Sequence, residues 1–293
     1  IVENLGKKAN IVIDYESLEE KTKGVVEMLR SNPDYKGLML TISEALEKAN
    51  KNTLLISVDN HKDSLAISRS VLDKVKNKVI IDHHRRSEEF ISSPVLTYLE
   101  PSASSTVELL VELFDYQQHE IEISSLDATI MYTGMLVDTN YFRQHVGTRT
   151  FQSAAKLKEA QADLSLAYEL LEDSFECMKE IFDITESAYR YKDKFLIATG
   201  KDEELSRSTL AKAANQLVYV SGIYAAFAIG YISKNTVAIS ARSSKKVNVQ
   251  MIMENDALHG GGHFSMAACQ IENVTIEEAK ERLEHAIDAY LED

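Results

Sequence analysis

The stretch VIIDHH (79–84) runs three branched aliphatic residues straight into Asp82, His83 and His84. An acid and two imidazoles are expensive to take out of water unless something binds them. Carboxylate oxygen combined with imidazole nitrogen suits Mn²⁺, Mg²⁺ or Fe²⁺ better than a sulfur-preferring site. Two further acids end apolar runs: Asp59 follows LLISV (54–58), and Asp138 closes GMLVD (134–138). Singly, each has a plainer explanation. Asp59 can cap a following helix, His83 can be a core histidine bonded to backbone, and Asp138 can begin an Asx turn. Jointly, at the ends of apolar runs, they predict a metal centre.

The elements that must position these side chains follow from the pattern. Strand-like runs at 9–13, 53–58 and 77–81 alternate with helical stretches at 41–50 and 64–76, which predicts an α/β fold with a doubly wound, mostly parallel sheet. Ligands of such sheets collect beyond the carboxyl ends of the strands, where Asp59 and the 82–84 triplet stand. From about residue 104 the pattern turns helical. Ser105 precedes Glu108 at capping-box spacing, and 124–137 and 149–161 predict further amphipathic helices. A polar, charged stretch at 165–190 reads as a helical connector. Beyond it, KFLIATG, a helix at 206–218, YAAFAIGYI, TVAISARS and a last helix at 275–291 predict a smaller α/β domain with an antiparallel sheet. The expected organisation is therefore a first domain over 1–164, a connector over 165–190 and a second domain over 191–293. The opening IVENLGKK reads as the last turn of a helix closed by Gly6 and two lysines, so the chain is expected to start inside an element whose leading strand and loop lie outside it.

Composition narrows the chemistry. The chain has 293 residues, 44% of them hydrophobic, enough for two domains, with no apolar stretch near the roughly 20 residues of a membrane span. Cys177 and Cys269 stand far apart without metal-site spacing, which fits a reducing compartment and argues against a zinc ribbon or disulfide scaffold. The expected location is cytoplasmic. The net charge is −14, and residues 1–190 hold 21 Lys and Arg against 32 Asp and Glu. Without a basic stripe to offset it, that balance disfavours long nucleic acid and favours a small anion held by metal or local donors. Most of these acids simply keep the surface soluble.

IDHHRR, with VDNH upstream and LVDTNYF downstream, resembles the DHH phosphoesterase family, and GGGHFSMAACQ after SARSSKKVNVQMIME resembles the DHHA1 domain that partners it. The run from IDHHRR to STVELLVEL looks most like the cyclic-di-AMP phosphodiesterases of the GdpP type, membrane-anchored proteins whose cytoplasmic C-terminal part is a DHH/DHHA1 pair. The resemblance implies a DHH domain and a smaller DHHA1 domain across a cleft, two Mn²⁺ ions with Mg²⁺ or Fe²⁺ as alternatives, and hydrolysis of cyclic di-AMP to linear pApA by a metal-activated water. It implies that Asp59 bridges both ions, that His83 ligates one and Asp138 completes that site, that His84 faces the substrate phosphate, and that Asp82 orients an imidazole. Arg149, just before a helix start, is a candidate phosphate clamp or else a surface arginine.

Gly260, Gly261 and Gly262 let backbone amides approach an anion without side-chain obstruction, and His263 follows them. The resemblance assigns this loop to the substrate, with Ser240, Arg242 and Asn248 as weaker candidates for gripping the distal nucleotide. His259 stands where the loop more often has glycine. The family's first metal motif, HxxxDxD, is not in the sequence, and VIDYESLEE (12–20) does not match it. A cyclic-dinucleotide sensor without turnover and a nuclease for short oligonucleotides are the alternatives. Membrane attachment is expected only through segments outside the chain, and a homodimer is compatible with the sequence.

Overall fold

The structure is a computed structural model that describes residues 2–117, 121–244 and 246–292. It divides into two compact units, Ile1–Glu172 and Asp173–Asp293. Unit 1 contains β1 (Ile11–Val12), α1 (Glu20–Ser31), β2 (Met39–Leu40), α2 (Ile42–Lys48), β3 (Leu54–Val58), α3 (Arg69–Lys74), β4 (Asn77–Asp82), β5 (Leu96–Leu99), α4 (Thr106–Phe114), α5 (Ser125–Asp138), α6 (Thr148–Glu159) and α7 (Leu164–Glu169). Unit 2 contains α8 (Phe175–Glu186), β6 (Tyr189–Tyr191), β7 (Phe195–Glu204), α9 (Arg207–Val218), β8 (Ala225–Ser233), β9 (Thr236–Ser243), α10 (Val249–Met253), β10 (Gly261–His263), β11 (Met266–Glu272) and α11 (Ile276–Glu292).

All strands of unit 1 pair in parallel, as the β/α alternation predicts, but they fall into two sheets: β1 with β2, and β3-β4-β5 in that order. The apolar run of β4 is explained by burial on both faces. Ile80 packs with Leu72 and Ile91, while Ile81, pointing the other way, packs with Ala103 and Leu109. β3 is an edge strand, and Leu54, Ile56 and Val58 on one of its faces are exposed. Helices α4 to α7 gather around Val111, Leu136 and Leu157. Only half of the expected capping box forms at α4: Ser105 Oγ accepts from Glu108 N (3.1 Å), whereas the Glu108 carboxylate accepts from Ser104 Oγ (2.6 Å) and Thr150 Oγ1 (2.8 Å) instead.

The 165–190 stretch, expected to be a helical connector, holds most of α7 and all of α8. Ala167 and Leu171 pack into the helical core of unit 1, while Ile181 and Ile184 of α8 pack against Leu196, Ala226 and α9 in unit 2. The charges in this stretch masked two short apolar stripes, and the break between units falls between Glu172 and Asp173.

Unit 2 is a six-stranded sheet in the order β10-β11-β9-β8-β7-β6, antiparallel except for β7 with β8. Side chains alternate between its faces. Phe227, Ile229 and Ile239 meet α10 and α11, and Ala226, Ala228 and Ala238 meet α8 and α9. Among the described residues no helix is long and apolar enough to cross a membrane.

Candidate metal centre and substrate face

Parallel pairing of β3 with β4 brings Asp59 level with the triplet. Val58 pairs with Ile81, and Asp59 N donates to Ile81 O (2.9 Å), which carries the ladder one step past the strand. Asp59 has φ +62°, in the left-handed region that Asp tolerates better than most residues. Its Oδ1 accepts from Thr106 Oγ1 (2.8 Å) and lies 3.5 Å from His83 Nε2 and 3.9 Å from His84 Nδ1. His83 Nδ1 is bonded to Ala103 O (3.3 Å). Only a protonated nitrogen can donate to a carbonyl, so Nε2 carries the lone pair on the Asp59 side. One ligand atom from each of Asp59, His83 and His84 lies within 4.8 Å of the others, the one such group among the described residues. An oxygen and two imidazoles without thiolate fit a divalent ion such as Mn²⁺, Mg²⁺ or Fe²⁺.

Asp82 is fully buried and holds this arrangement together. It accepts from His84 N (3.1 Å) and His84 Nδ1 (2.7 Å) through one oxygen, and from His61 Nδ1 (2.5 Å) through the other. Burial alone would raise its pKa, but the bonds from His84 and His61 outweigh it and keep the carboxyl well below the ordinary range. The same bond from Asp82 raises the His84 pKa, against desolvation, with Asp59 and Asp138 adding attraction. The sequence reading missed His61. Its Nε2 accepts from Ser87 N (3.3 Å), so Nδ1 carries the proton given to Asp82. The nearest signal was VDNH, a histidine two residues beyond Asp59, but its polar neighbours Asn60, Lys62 and Asp63 give no hint of its burial.

Asp138, the last residue of α5, stands near this group without joining it at ligand distance. Burial pushes its carboxyl up to about 7, repulsion from Asp59 adds to the shift, and His84 partly offsets it. The tight set is therefore Asp59, His83 and His84 where the sequence suggested Asp59, His83 and Asp138. Arg149 is placed elsewhere. Its Nε and Nη2 fork onto Glu112 (2.5 and 2.6 Å), which raises its pKa, and it lines a cavity of about 730 Å³ with Tyr98, Tyr116 and Lys156. The fork onto Glu112 occupies Nε and Nη2 of the guanidinium, and none of Asp59, His83 and His84 lines that cavity.

In unit 2 the sheet register does the assembling. His263 pairs with Met266, Met266 with Arg242, and Arg242 with Ala226. The neighbouring row is Gly261, Ala268, Ser240 and Ala228. Directly opposed residues share a face, and Ala226 and Ala228 identify it as the face that carries α9. At the outer strands Met266 and Ala268 are exposed, leaving an open floor of small side chains with His263 and Arg242 on one row, two strand spacings or about 10 Å apart.

The three glycines divide by what a side chain would meet. At Gly260 a Cβ would stand 2.5 Å from Ala268 O, and at Gly262, with φ +147°, 2.5 Å from Met266 O. Those two are glycine because the backbone approaches them. At Gly261 a Cβ meets nothing within 4 Å, so only there does the open floor itself depend on the missing side chain. His259 takes φ +49°, the left-handed turn for which glycine is the usual choice. Asn248 does not join these rows: its side chain caps α10 by accepting from Gln250 N (3.1 Å).

Residues 5–135 match the DHH family, N-terminal domain, and residues 192–293 match the DHHA1 domain. The chain is 40% identical to the cyclic-di-AMP phosphodiesterase PdeA of Listeria monocytogenes serotype 1/2a (strain 10403S), over 99% of this chain and 44% of that protein. It is 39% identical to the cyclic-di-AMP phosphodiesterase GdpP of Bacillus subtilis (strain 168), over 98% of this chain and 44% of that protein. The chain thus spans less than half the length of these relatives. Among solved structures, an exopolyphosphatase-related protein from Bacteroides fragilis superposes with a TM-score of 0.81 at 20% identity, covering 98% of this chain and 85% of that one, which shows a common fold. Two family domains in order, matched across most of the chain and carrying the histidine-carboxylate group and glycine loop just described, establish that the chain belongs to the DHH/DHHA1 family.

Proposed function

We propose that this chain is the catalytic part of a divalent-metal-dependent phosphodiesterase that opens cyclic di-AMP to linear pApA. The convergence of Asp59, His83 and His84 at two adjacent strand ends carries the proposal, since histidine tautomers are set there by Ala103 O and Asp82 so that ring nitrogens are left for a ligand. The names of the two relatives supply the substrate. Mn²⁺ is our choice of ion, two of them, which Asp59 and His83 would hold with Asp138 close by as a further carboxylate.

A divalent cation bound to this group lowers the pKa of water and offsets charge on a phosphodiester. The residues do the rest. Asp59 and His83 supply the donor atoms, and Thr106 fixes the Asp59 carboxylate. Asp82 holds His84 by Nδ1, leaving Nε2 to hydrogen-bond a phosphate oxygen or hand a proton to the departing 3′-oxygen. Water oxygen joins phosphorus, the P–O3′ bond breaks, and the phosphate stays on the 5′ side. Gly261, Ser240, Arg242 and His263 present the open face of unit 2 to the dinucleotide. By the same resemblance we place the chain on the cytoplasmic side of a membrane-anchored protein.

A second reading, binding without turnover, is favoured by one observation: among the described residues, three side chains at ligand distance are few for two ions. Incubation with cyclic di-AMP and Mn²⁺, followed by chromatography of the nucleotides and metal analysis of the protein, decides between them. Formation of pApA supports the phosphodiesterase. Tight binding of intact cyclic di-AMP without product would replace it with the sensor.

A further inference from the structure

Arg242 sits in β9 with its guanidinium largely desolvated, and desolvation lowers its pKa with no carboxylate opposing the shift. Buried cations are ordinarily paired with acids. This one bonds only neutral acceptors: Nε donates to Asn215 Oδ1 (2.9 Å), and Nη1 donates to Ala241 O (2.9 Å) and Ser240 Oγ (3.3 Å). Bonds at Nε and Nη1 fix the plane of the guanidinium, and Nη2 has no acceptor among the described residues.

Asn215 belongs to α9, 27 residues before Arg242, and the helix explains its place. Leu210, Ala213, Ala214 and Leu217 form the stripe that packs on the sheet. Arg207, Ala211 and Asn215 follow one another at four-residue spacing along the stripe's edge. Arg207 Nη2 reaches Gln270 Oε1 on β11 (3.0 Å), so this edge of α9 runs beside the open rows of β9 and β11. Both arginines along it meet side-chain amides in place of carboxylates. An amide oxygen orients a guanidinium without neutralising it.

We propose that Asn215 is a positioning residue that fixes the Arg242 guanidinium beside the Gly261–Ala268–Ser240 floor, so that Nη2 receives a phosphoryl oxygen of the dinucleotide. The inference rests on the substrate reading of the preceding subsection and adds the residue that sets the phosphate contact. Asn215 does not touch the ligand. Its effect passes entirely through Arg242, which makes a distinctive pattern across variants.

The test is calorimetric titration of the wild type, N215A, N215D, R242Q and N215A/R242Q with cyclic di-AMP and, separately, with inorganic phosphate, with thermal unfolding as a check on the fold. R242Q is expected to weaken cyclic di-AMP binding at least tenfold and N215A about fivefold. N215D keeps an oxygen to accept Nε–H but neutralises the guanidinium, and is expected to bind cyclic di-AMP no more tightly than N215A. The double variant is expected to bind no more weakly than R242Q alone, because Asn215 has nothing left to position. Losses that multiply in the double variant, or an N215A protein with wild-type affinity, overturn the inference. Wild-type protein that binds inorganic phosphate but not cyclic di-AMP, with N215A and R242Q weakening phosphate, removes the cyclic-dinucleotide reading and leaves the Asn215 role standing. A wild type that binds neither overturns both.

Discussion

Gly260→Ala and Gly261→Ala differ by one position in the chain and should separate folding from binding. At Gly260 the new Cβ would stand 2.5 Å from Ala268 O, 2.6 Å from Cys269 Cβ and 2.9 Å from Met253 O. Two of these neighbours are backbone oxygens, and Gly260 N is itself bonded to Met253 O (2.7 Å), so nothing soft is available to give way. Forced overpacking of this kind costs about 1–3 kcal/mol. At Gly261 the Cβ meets nothing within 4 Å and φ lies outside the left-handed range. There the reduced freedom of the unfolded chain gives a small stabilisation, about 0.4–1 kcal/mol. The two variants are therefore expected to lie roughly 1.5–4 kcal/mol apart in opposite directions from wild type. Urea unfolding followed by circular dichroism reads this as midpoints that move apart at constant slope.

Binding should show the reverse order. Gly261 shares its row with Ala268 and Ser240, so a bulkier Gly261→Val variant puts a branched side chain on the open floor while its fold and Mn²⁺ content stay those of wild type. Its cyclic di-AMP affinity is expected to fall by more than tenfold. A Gly261→Val protein that unfolds as early as Gly260→Ala would refute the steric division of the loop. One that binds cyclic di-AMP normally would show that the floor is not used.

Three further outcomes follow from the metal group. Asp138 has its pKa raised from 3.8 to about 7. A raised folded-state value means a contribution to stability fully present below 3.8 and lost as pH rises through about 7, so metal-free wild type should weaken between pH 4 and 7. Asp138→Asn should flatten that trend, by up to roughly 4 kcal/mol at pH 8, in urea melts with a chelator present; parallel wild-type and variant curves would show that the carboxyl ionises freely. His61→Phe removes a donor from buried Asp82 and is expected to cost about 1–3 kcal/mol while lowering turnover of cyclic di-AMP through misplacement of His84; an unchanged turnover would reduce His61 to a packing role. Added Mn²⁺ should raise the melting temperature of wild type but not of Asp59→Ala or His83→Ala, and equal shifts in all three would place the ion elsewhere.

Legibility in the sequence followed the range of the interactions. The strands at 53–58 and 77–81 and the helices near 124–137 and 206–218 were visible because local periodicity reports which face is buried, and the observed β3, β4, α5 and α9 agree within a few residues. Asp59, His83 and His84 were visible because polar groups at the ends of apolar runs stand out against their neighbours. The packing of the 165–190 stretch was not legible because charges outnumber its few apolar residues. The fork of Arg149 was not legible because its partner Glu112 lies 37 residues away. Asn215 was invisible for the same reason: mid-helix, it reads as an ordinary surface amide until the 27-residue span to Arg242 closes.

These long-range bonds also bear on which ligand each unit would take under the proposed function. In unit 1, burial raises the Asp138 carboxyl to about 7, repulsion from Asp59 adds to the shift, and His84 offsets part of it. A divalent cation beside these groups is the species that would favour the ionised carboxylates. In unit 2 the imbalance has the opposite sign: Arg242 is desolvated among amide and hydroxyl oxygens that orient it without cancelling its charge. An anion relieves that one. On the proposed function, a divalent cation would answer the first requirement and a phosphoryl oxygen the second, each arising within its own unit.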